Sequence, residues 1–373
     1  MKTLQYLLTI LILMLTSCSG QNPPDPYRKA AYWMDHPLHG TVVEIGYGGG
    51  PDELRNPPYP SVASLKRLKR LGVDVVTLEF QFVWNIFPPY RADEKRFKLL
   101  TNAVANFKQA DLKVILSCRN GPGRNGMMPD IKDKDVITTL YTDPKALEAY
   151  QAMLRDLVRR FRDDPAVLAW EPMVEPAFDH WLTHEEDAPY VKASAIWNRV
   201  APTLVAAIRA EDAERPILLE TVNWSGAHAF ERFKPVDDPN IIYDLHTYEP
   251  YDYTSKDEPP YSHYPGTTNG EHIDKAWLNK LLHDVDAFQA RYHVPIVVGE
   301  WGGIRWIPDM DRYIADQIDL FARRKWSWFW YAWDDEEWEE YGFQLQLGAD
   351  RKHPKLDVNN SMFAPIVRVW QGD

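Results

Sequence analysis

The chain is poor in cysteine, with two in 373 residues, Cys18 and Cys118. A disulfide framework is therefore excluded as the source of stability, and the fold must rest on its core. It also lacks a surplus of positive charge. Forty-two Lys and Arg stand against 54 Asp and Glu, a net charge of −12, which excludes the basic face that nucleic acid requires. There is no H-E-x-x-H segment, no Cys cluster and no EF-hand loop, so no metal or other cofactor is implied. No G-x-G-x-x-G or P-loop spacing follows the first apolar run either. The glycine-rich stretch 46–50 (Gly-Tyr-Gly-Gly-Gly) is expected to be a flexible loop. No internal repeat and no linker divides the chain. The one continuous apolar run, from Leu4 to Leu15, is too short for a stop-transfer helix.

That run belongs to a leader. Met1-Lys2 supplies a positive start and Leu15-Thr16-Ser17-Cys18 closes the segment. The pattern resembles a bacterial lipoprotein signal, in which cleavage precedes Cys18 and the new terminal cysteine is acylated. The expected organisation is a signal peptide at 1–17, a tether and N-terminal extension at 18–39, and one folded domain at 40–373. The expected location is the bacterial cell envelope, with a lipid anchor at Cys18 holding the chain to a membrane. Cys118 lies in an apolar run and reads as a small core residue.

From residue 40 onward, apolar runs alternate with amphipathic segments. Candidate strands fall at 41–47, 74–82, 113–118, 167–174, 217–222, 241–246, 296–299 and 327–333. The segments between them carry apolar residues at helical spacing, such as Leu147, Tyr150, Leu154, Leu157 and Phe161. After the fifth candidate strand the helical pattern is weak. Eight β/α units in one order predict the α/β class and a single (β/α)8 TIM barrel. Fifteen Trp and nineteen Tyr are a surplus. Two readings stand: a large aromatic core, or platforms on which sugar rings stack.

Two candidate strands end on glutamates, in Trp170-Glu171-Pro172-Met173-Val174-Glu175-Pro176 and Gly299-Glu300-Trp301. Barrel active sites sit at the C-terminal ends of the strands. Two carboxyl groups facing each other there suit glycosidic cleavage, where one protonates the leaving oxygen and the other faces the anomeric carbon. Glu171, on the interior parity, reads as a buried structural carboxylate.

These segments resemble glycoside hydrolase family 5 and its wider clan of retaining barrel glycosidases, in a cellulase-like form. The resemblance covers roughly residues 40–370. It implies Glu175 as general acid/base and Glu300 as nucleophile. The segment Asp244-Leu245-His246-Thr247-Tyr248 resembles the family's sixth strand, which implies sugar binding by His246 and a hydrogen bond from Tyr248 to the nucleophile. Residues 114–123, with Arg119 and Asn120, resemble the third-strand segment. Tyr331 and Trp333 stand where the family offers an aromatic floor. Trp170, Trp301, Trp224 and Trp84, at strand ends, and Asn223 are further candidates for substrate contacts. The implied partner is a poly- or oligosaccharide.

Three departures from the pattern are visible. Val174 replaces the Asn that precedes the acid/base. The second strand, around Glu79, lacks the family's arginine. Arg119 stands where the third strand carries His. The expectation is that Arg119 supplies from the third strand the charge missing from the second. An alternative role is a catalytically weakened surface carbohydrate-binding protein on the same fold. The acidic run 334–340 reads as a solvated loop, or as a contact at the cleft rim.

Overall fold

A computed structural model describes residues 25–45, 58–125, 136–185, 187–334 and 342–372. Cys18, the leader, the loop at 46–50 and residues 335–340 of the acidic run lie outside the described residues.

Eight parallel strands close a barrel in sequence order. They are β1 (His39–Glu44), β2 (Val75–Phe80), β3 (Lys113–Cys118), β4 (Val167–Glu171), β5 (Ile217–Leu219), β6 (Ile241–Thr247), β7 (Ile296–Trp301) and β8 (Ser327–Trp330). The expected (β/α)8 barrel is thus the observed fold. Strands β2, β4, β6 and β7 are buried along their whole length, as a sheet sheathed in helices requires.

The sheath is α1 (Val62–Arg70), α2 (Glu94–Gln109), α3 (Pro144–Phe161), α4 (Val191–Arg209), α5 (Lys275–Leu281), α6 (His283–Tyr292), α7 (Met310–Arg324) and α8 (Ala364–Trp370). Local chemistry starts several of them. Ser61 accepts from the Ser64 N–H ahead of α1, and Asp93 accepts from Lys95 and Arg96 N–H ahead of α2. Asp143 accepts from the Lys145 N–H ahead of α3, whose first residue is Pro144. Each such cap is worth about 1 kcal/mol. The weak pattern after β5 corresponds to a 3-10 turn, Ala227–Glu231, in place of a full helix.

The core has two parts. Val42, Val75, Ile115, Leu218, Ile242, Val297 and Phe329 fill the lower barrel interior. Ala30 and Trp33, from two 3-10 turns that precede β1, join this cluster and stopper the barrel's N-terminal end. Asn240 fixes this stopper, accepting from Ala30 N–H at 2.5 Å and donating to Arg28 O at 2.9 Å. The second part is the ring between strands and helices, and it takes most of the tryptophan. Trp170, Trp197, Trp301, Trp326, Trp328, Trp330 and Trp333 are all fully buried. The aromatic surplus is therefore chiefly core. Cys118 is a buried free thiol, pushed up to about 12 by burial.

Candidate active site

The strand ends carry polar groups in one layer. Register pairs Glu44 with Glu79, Glu79 with Ser117, Ser117 with Glu171, and His246 with Glu300. Above this layer opens a cavity of about 600 Å³. Glu175, Glu300, Arg119, His246, Tyr248 and Asn223 line it, together with Trp224, Tyr251, Tyr331 and Phe343.

Glu175 and Glu300 face each other. One carboxylate oxygen of each, with a His246 ring nitrogen, all lie within 4.8 Å of one another. Arg119 binds three carboxylates at once. Its Nε donates to Glu79 at 2.8 Å, Nη1 to Glu175 at 2.7 Å and Nη2 to Glu300 at 2.9 Å. The guanidinium expected to bring charge from the third strand is in contact with Glu300. The site's other departure, Glu79 on β2, is its partner. Val174 is buried and does not line the cavity, and its carbonyl accepts from Arg124 at 2.7 Å.

His246 Nδ1 lies 3.1 Å from Glu175 Oε1 and 3.6 Å from Glu300 Oε2. Tyr248 donates its hydroxyl to Glu300 Oε2 at 2.8 Å. Burial, and then the Glu300 charge, hold this phenol protonated well above its ordinary value. The two glutamates differ. Burial raises the proton affinity of Glu175, but Arg119 and His246 outweigh it and bring its pKa down to about 2. Burial raises Glu300 well above its ordinary value, Glu79 and Glu175 add to the shift, and Arg119 only partly offsets it. Of the two, Glu175 is thus the more readily ionised.

Beneath this pair lies a buried acidic group. Glu171 accepts from the Ser117 hydroxyl at 2.5 Å, as befits the structural carboxylate expected there. Glu220 and Asp244 are also buried. Burial first, and then the mutual repulsion with Glu171, push both of their proton affinities well up.

The backbone is bent to fit the site. Glu175 has φ +50°, and Asn223, Trp224 and Ser225 form a run at φ +55°, +51° and +57°. Non-glycine residues in this region are strained by about 1–2 kcal/mol each and persist only where surroundings hold them. Here Asp179 accepts from Asn223 N–H at 2.9 Å, and the Ser225 hydroxyl donates to Asp244 O at 2.5 Å. The run presents Asn223 and Trp224 to the cavity.

Five expected contacts are not made. Trp170 alternates with Glu171, so it faces the helices, where its Nε1 donates to Asp212 at 3.0 Å. Trp301 follows Glu300 on the opposite parity and packs against Phe321 and Trp328. Trp333 is turned outward, donating to Ser64 at 3.2 Å. Asn120 is wholly buried and donates to Gln81 at 2.7 Å. Trp84 likewise bonds Asp156 on α3. Sequence reasoning missed Glu44, Tyr251 and Phe343 at the cavity, and Glu79 and Glu220 behind it. A signal existed for Glu44 and Glu79, since each is a lone charge closing an apolar strand.

A family model described as cellulase (glycosyl hydrolase family 5) matches residues 50–337. Endoglucanase 3 of Fibrobacter succinogenes is 25% identical over 122 residues, 33% of this chain and 17% of that protein. Endoglucanase C of Acetivibrio thermocellus is 25% identical over 58% of this chain and 65% of that protein. Mannan endo-1,4-beta-mannosidase 8 of Oryza sativa subsp. japonica is 26% identical over 57% and 60%. The chain thus spans less than two thirds of the length of these curated relatives. Among solved structures, endoglucanase Cel5A from Thermotoga maritima superposes with a TM-score of 0.67 at 18% identity, covering 92% of this chain and 99% of that one. The structure of Cel5A with mannotriose superposes equally well, with a TM-score of 0.67. The family match spans well over half of the sequence, and the chain belongs to the cellulase family of glycosyl hydrolases, family 5.

Proposed function

We propose that the chain is a retaining β-glycosidase acting on β-linked poly- or oligosaccharides, with Glu175 as general acid/base and Glu300 as nucleophile. The observation that carries this reading is the closeness of the two carboxylates, one oxygen of each lying within 4.8 Å of the other across the open cavity. Retaining pairs sit about 5 Å apart, whereas inverting pairs need several ångströms more for a water. A relative named as an endoglucanase, one named as a mannan endo-1,4-beta-mannosidase and a similar structure titled as an endo-beta-1,4-glucanase support these two backbones as substrates.

In the first step Glu300 attacks the anomeric carbon while a proton passes from the Glu175 carboxyl to the departing oxygen. In the second, Glu175 takes a proton from water, which displaces Glu300. Tyr248 and Arg119 hold Glu300 in place for attack. Glu175 must first gain a proton and Glu300 lose one, so the proton that burial favours on Glu300 has to pass to Glu175 as a bound sugar loosens the Glu175–Arg119 contact. The test is the anomer released first from a soluble β-1,4-glucan or β-1,4-mannan, followed by NMR. The β-anomer is expected, and initial release of the α-anomer would overturn the assignment.

One observation favours a second reading. Arg119 ties both carboxylates and keeps Glu175 ionised, a state suited to binding without turnover. Calorimetric binding of oligosaccharides with no product formed would establish that role instead.

We further propose that Cys18 carries a lipid anchor, on the strength of the Leu15-Thr16-Ser17-Cys18 segment. Among the described residues, no helix is long and apolar enough to cross a membrane. Cys18→Ser should move the protein from the membrane fraction to the soluble fraction. An unchanged distribution would sink the proposal.

A further inference from the structure

Glu220, just beyond β5, touches both sides of the catalytic constellation without reaching the cavity. Its Oε2 accepts the backbone N–H of Glu175 at 2.7 Å. Its Oε1 lies 3.4 Å from His246 Nε2. Its own carbonyl accepts from Trp197 Nε1 at 2.7 Å, which anchors the residue to α4. The side chain is wholly buried.

Two arguments give these contacts a purpose. The first concerns the backbone. Glu175 sits at φ +50°, a conformation that a non-glycine residue keeps only if it is held. The contact on its N–H comes from Glu220, so the aim of the Glu175 carboxyl depends on it. The second concerns the imidazole. His246 Nδ1 faces two carboxylates, at 3.1 and 3.6 Å, and therefore must present a hydrogen to them. On the other side of the ring, Nε2 faces Glu220 Oε1 at 3.4 Å, a contact that orients the imidazole so that Nδ1–H stays aimed at the catalytic pair. Burial first, and then Glu171 on β4 and Asp244 on β6, favour the protonated form of Glu220. Glu220 Oε1 is buried, and His246 Nε2 faces it at 3.4 Å.

We propose that Glu220 is a positioning residue for the glycosidase reaction, holding the acid/base in its left-handed conformation and fixing the orientation of the His246 ring. This rests on the assignment of Glu175 as acid/base.

Two variants of the full chain test it. Glu220→Gln keeps an acceptor for Glu175 N–H and an N–H donor for His246 Nε2. Glu220→Leu keeps the volume and loses both. Glu220→Leu should lower kcat about 100-fold with little change in KM, because misaim of a catalytic group acts on the chemical step. Glu220→Gln should recover most of the loss. A mutation acting only through general weakening of the barrel would lower the melting temperature and leave kcat of the folded fraction unchanged.

A second readout needs no turnover. In protein labelled with ¹⁵N-histidine, the His246 resonances, assigned by their loss in His246→Gln, should show one sharp Nδ1–H state in the wild type and in Glu220→Gln. In Glu220→Leu they should broaden through exchange. Turnover and a His246 spectrum both unchanged in Glu220→Leu would overturn the proposal. Absent turnover in the wild type, with the spectral difference intact, would count against the glycosidase reading and leave the positioning role supported.

Discussion

Glu300→Gln should leave the barrel folded and reduce turnover by at least about 10⁴-fold, the scale of losing a nucleophile that acts in concert with its partners. The reasoning starts from geometry. Glu300 receives Tyr248 O–H at 2.8 Å and Arg119 Nη2 at 2.9 Å. Both are donors, and a glutamine carbonyl can accept from one or the other. An amide oxygen is a far weaker nucleophile than a carboxylate, so the sugar–enzyme bond would not form at a useful rate. Stability should move little, or rise. Burial and the neighbouring carboxylates already raise the proton affinity of Glu300, and the neutral amide imitates that protonated form. The check is kcat with melting temperature on the same preparation. Turnover within tenfold of wild type would remove Glu300 from the mechanism. Oligosaccharide affinity should persist in the variant, which separates lost chemistry from lost binding.

The fold was legible because each strand is a short apolar run between amphipathic segments. β3, expected at 113–118, is observed as Lys113–Cys118. Longer candidates shrank where the chain leaves the sheet. β5 keeps three residues because Asn223, Trp224 and Ser225 turn left-handed immediately afterwards. Glu175, His246, Tyr248 and Glu300 were legible as positions because they stand at or just beyond strand ends. The misplaced tryptophans show what strand ends alone leave open. Trp170 and Trp301 each adjoin an inward-facing glutamate, so alternation sends them outward into the helical layer. Glu79 and Glu220 required more than parity. Their meaning comes from neighbours supplied by other strands, namely Arg119 from β3 and the Glu175 backbone after β4. Such pairings depend on the stagger of the closed sheet.

Arg119→Met should lower kcat/KM by about 10³-fold, within the range of removing preorganised charge stabilisation and of impairing acid–base chemistry. Two effects oppose each other. Without the guanidinium, Glu175 binds its proton more tightly, which favours the acid role. Glu300 also binds its proton more tightly, which removes the ionised nucleophile. The second effect wins, because burial, Glu79 and Glu175 already raise Glu300 and Arg119 is the cation that offsets them. The acid limb of the pH–rate profile should therefore move to higher pH. Stability should follow the same charges. Glu175, with its pKa lowered to about 2, contributes stability above the ordinary carboxyl value of 4.5, and this is lost as pH falls through about 2. Glu300, raised, behaves in the opposite way, and its contribution is lost as pH rises through its folded value. Removing Arg119 abolishes the first contribution and enlarges the penalty from the second. At neutral pH the variant should be less stable by about 3–5 kcal/mol, the scale for a buried charge left without its partner. On acidification the gap should narrow, since Glu175 and Glu300 become protonated in folded and unfolded chains alike. Pairing the change with Glu79→Met removes the orphaned carboxylate on Nε, and should restore part of the stability and none of the turnover. Denaturant unfolding at neutral and acid pH, with rate profiles for both variants, decides the matter. A stability gap independent of pH would show that Arg119 acts through packing rather than through the three carboxylates it joins.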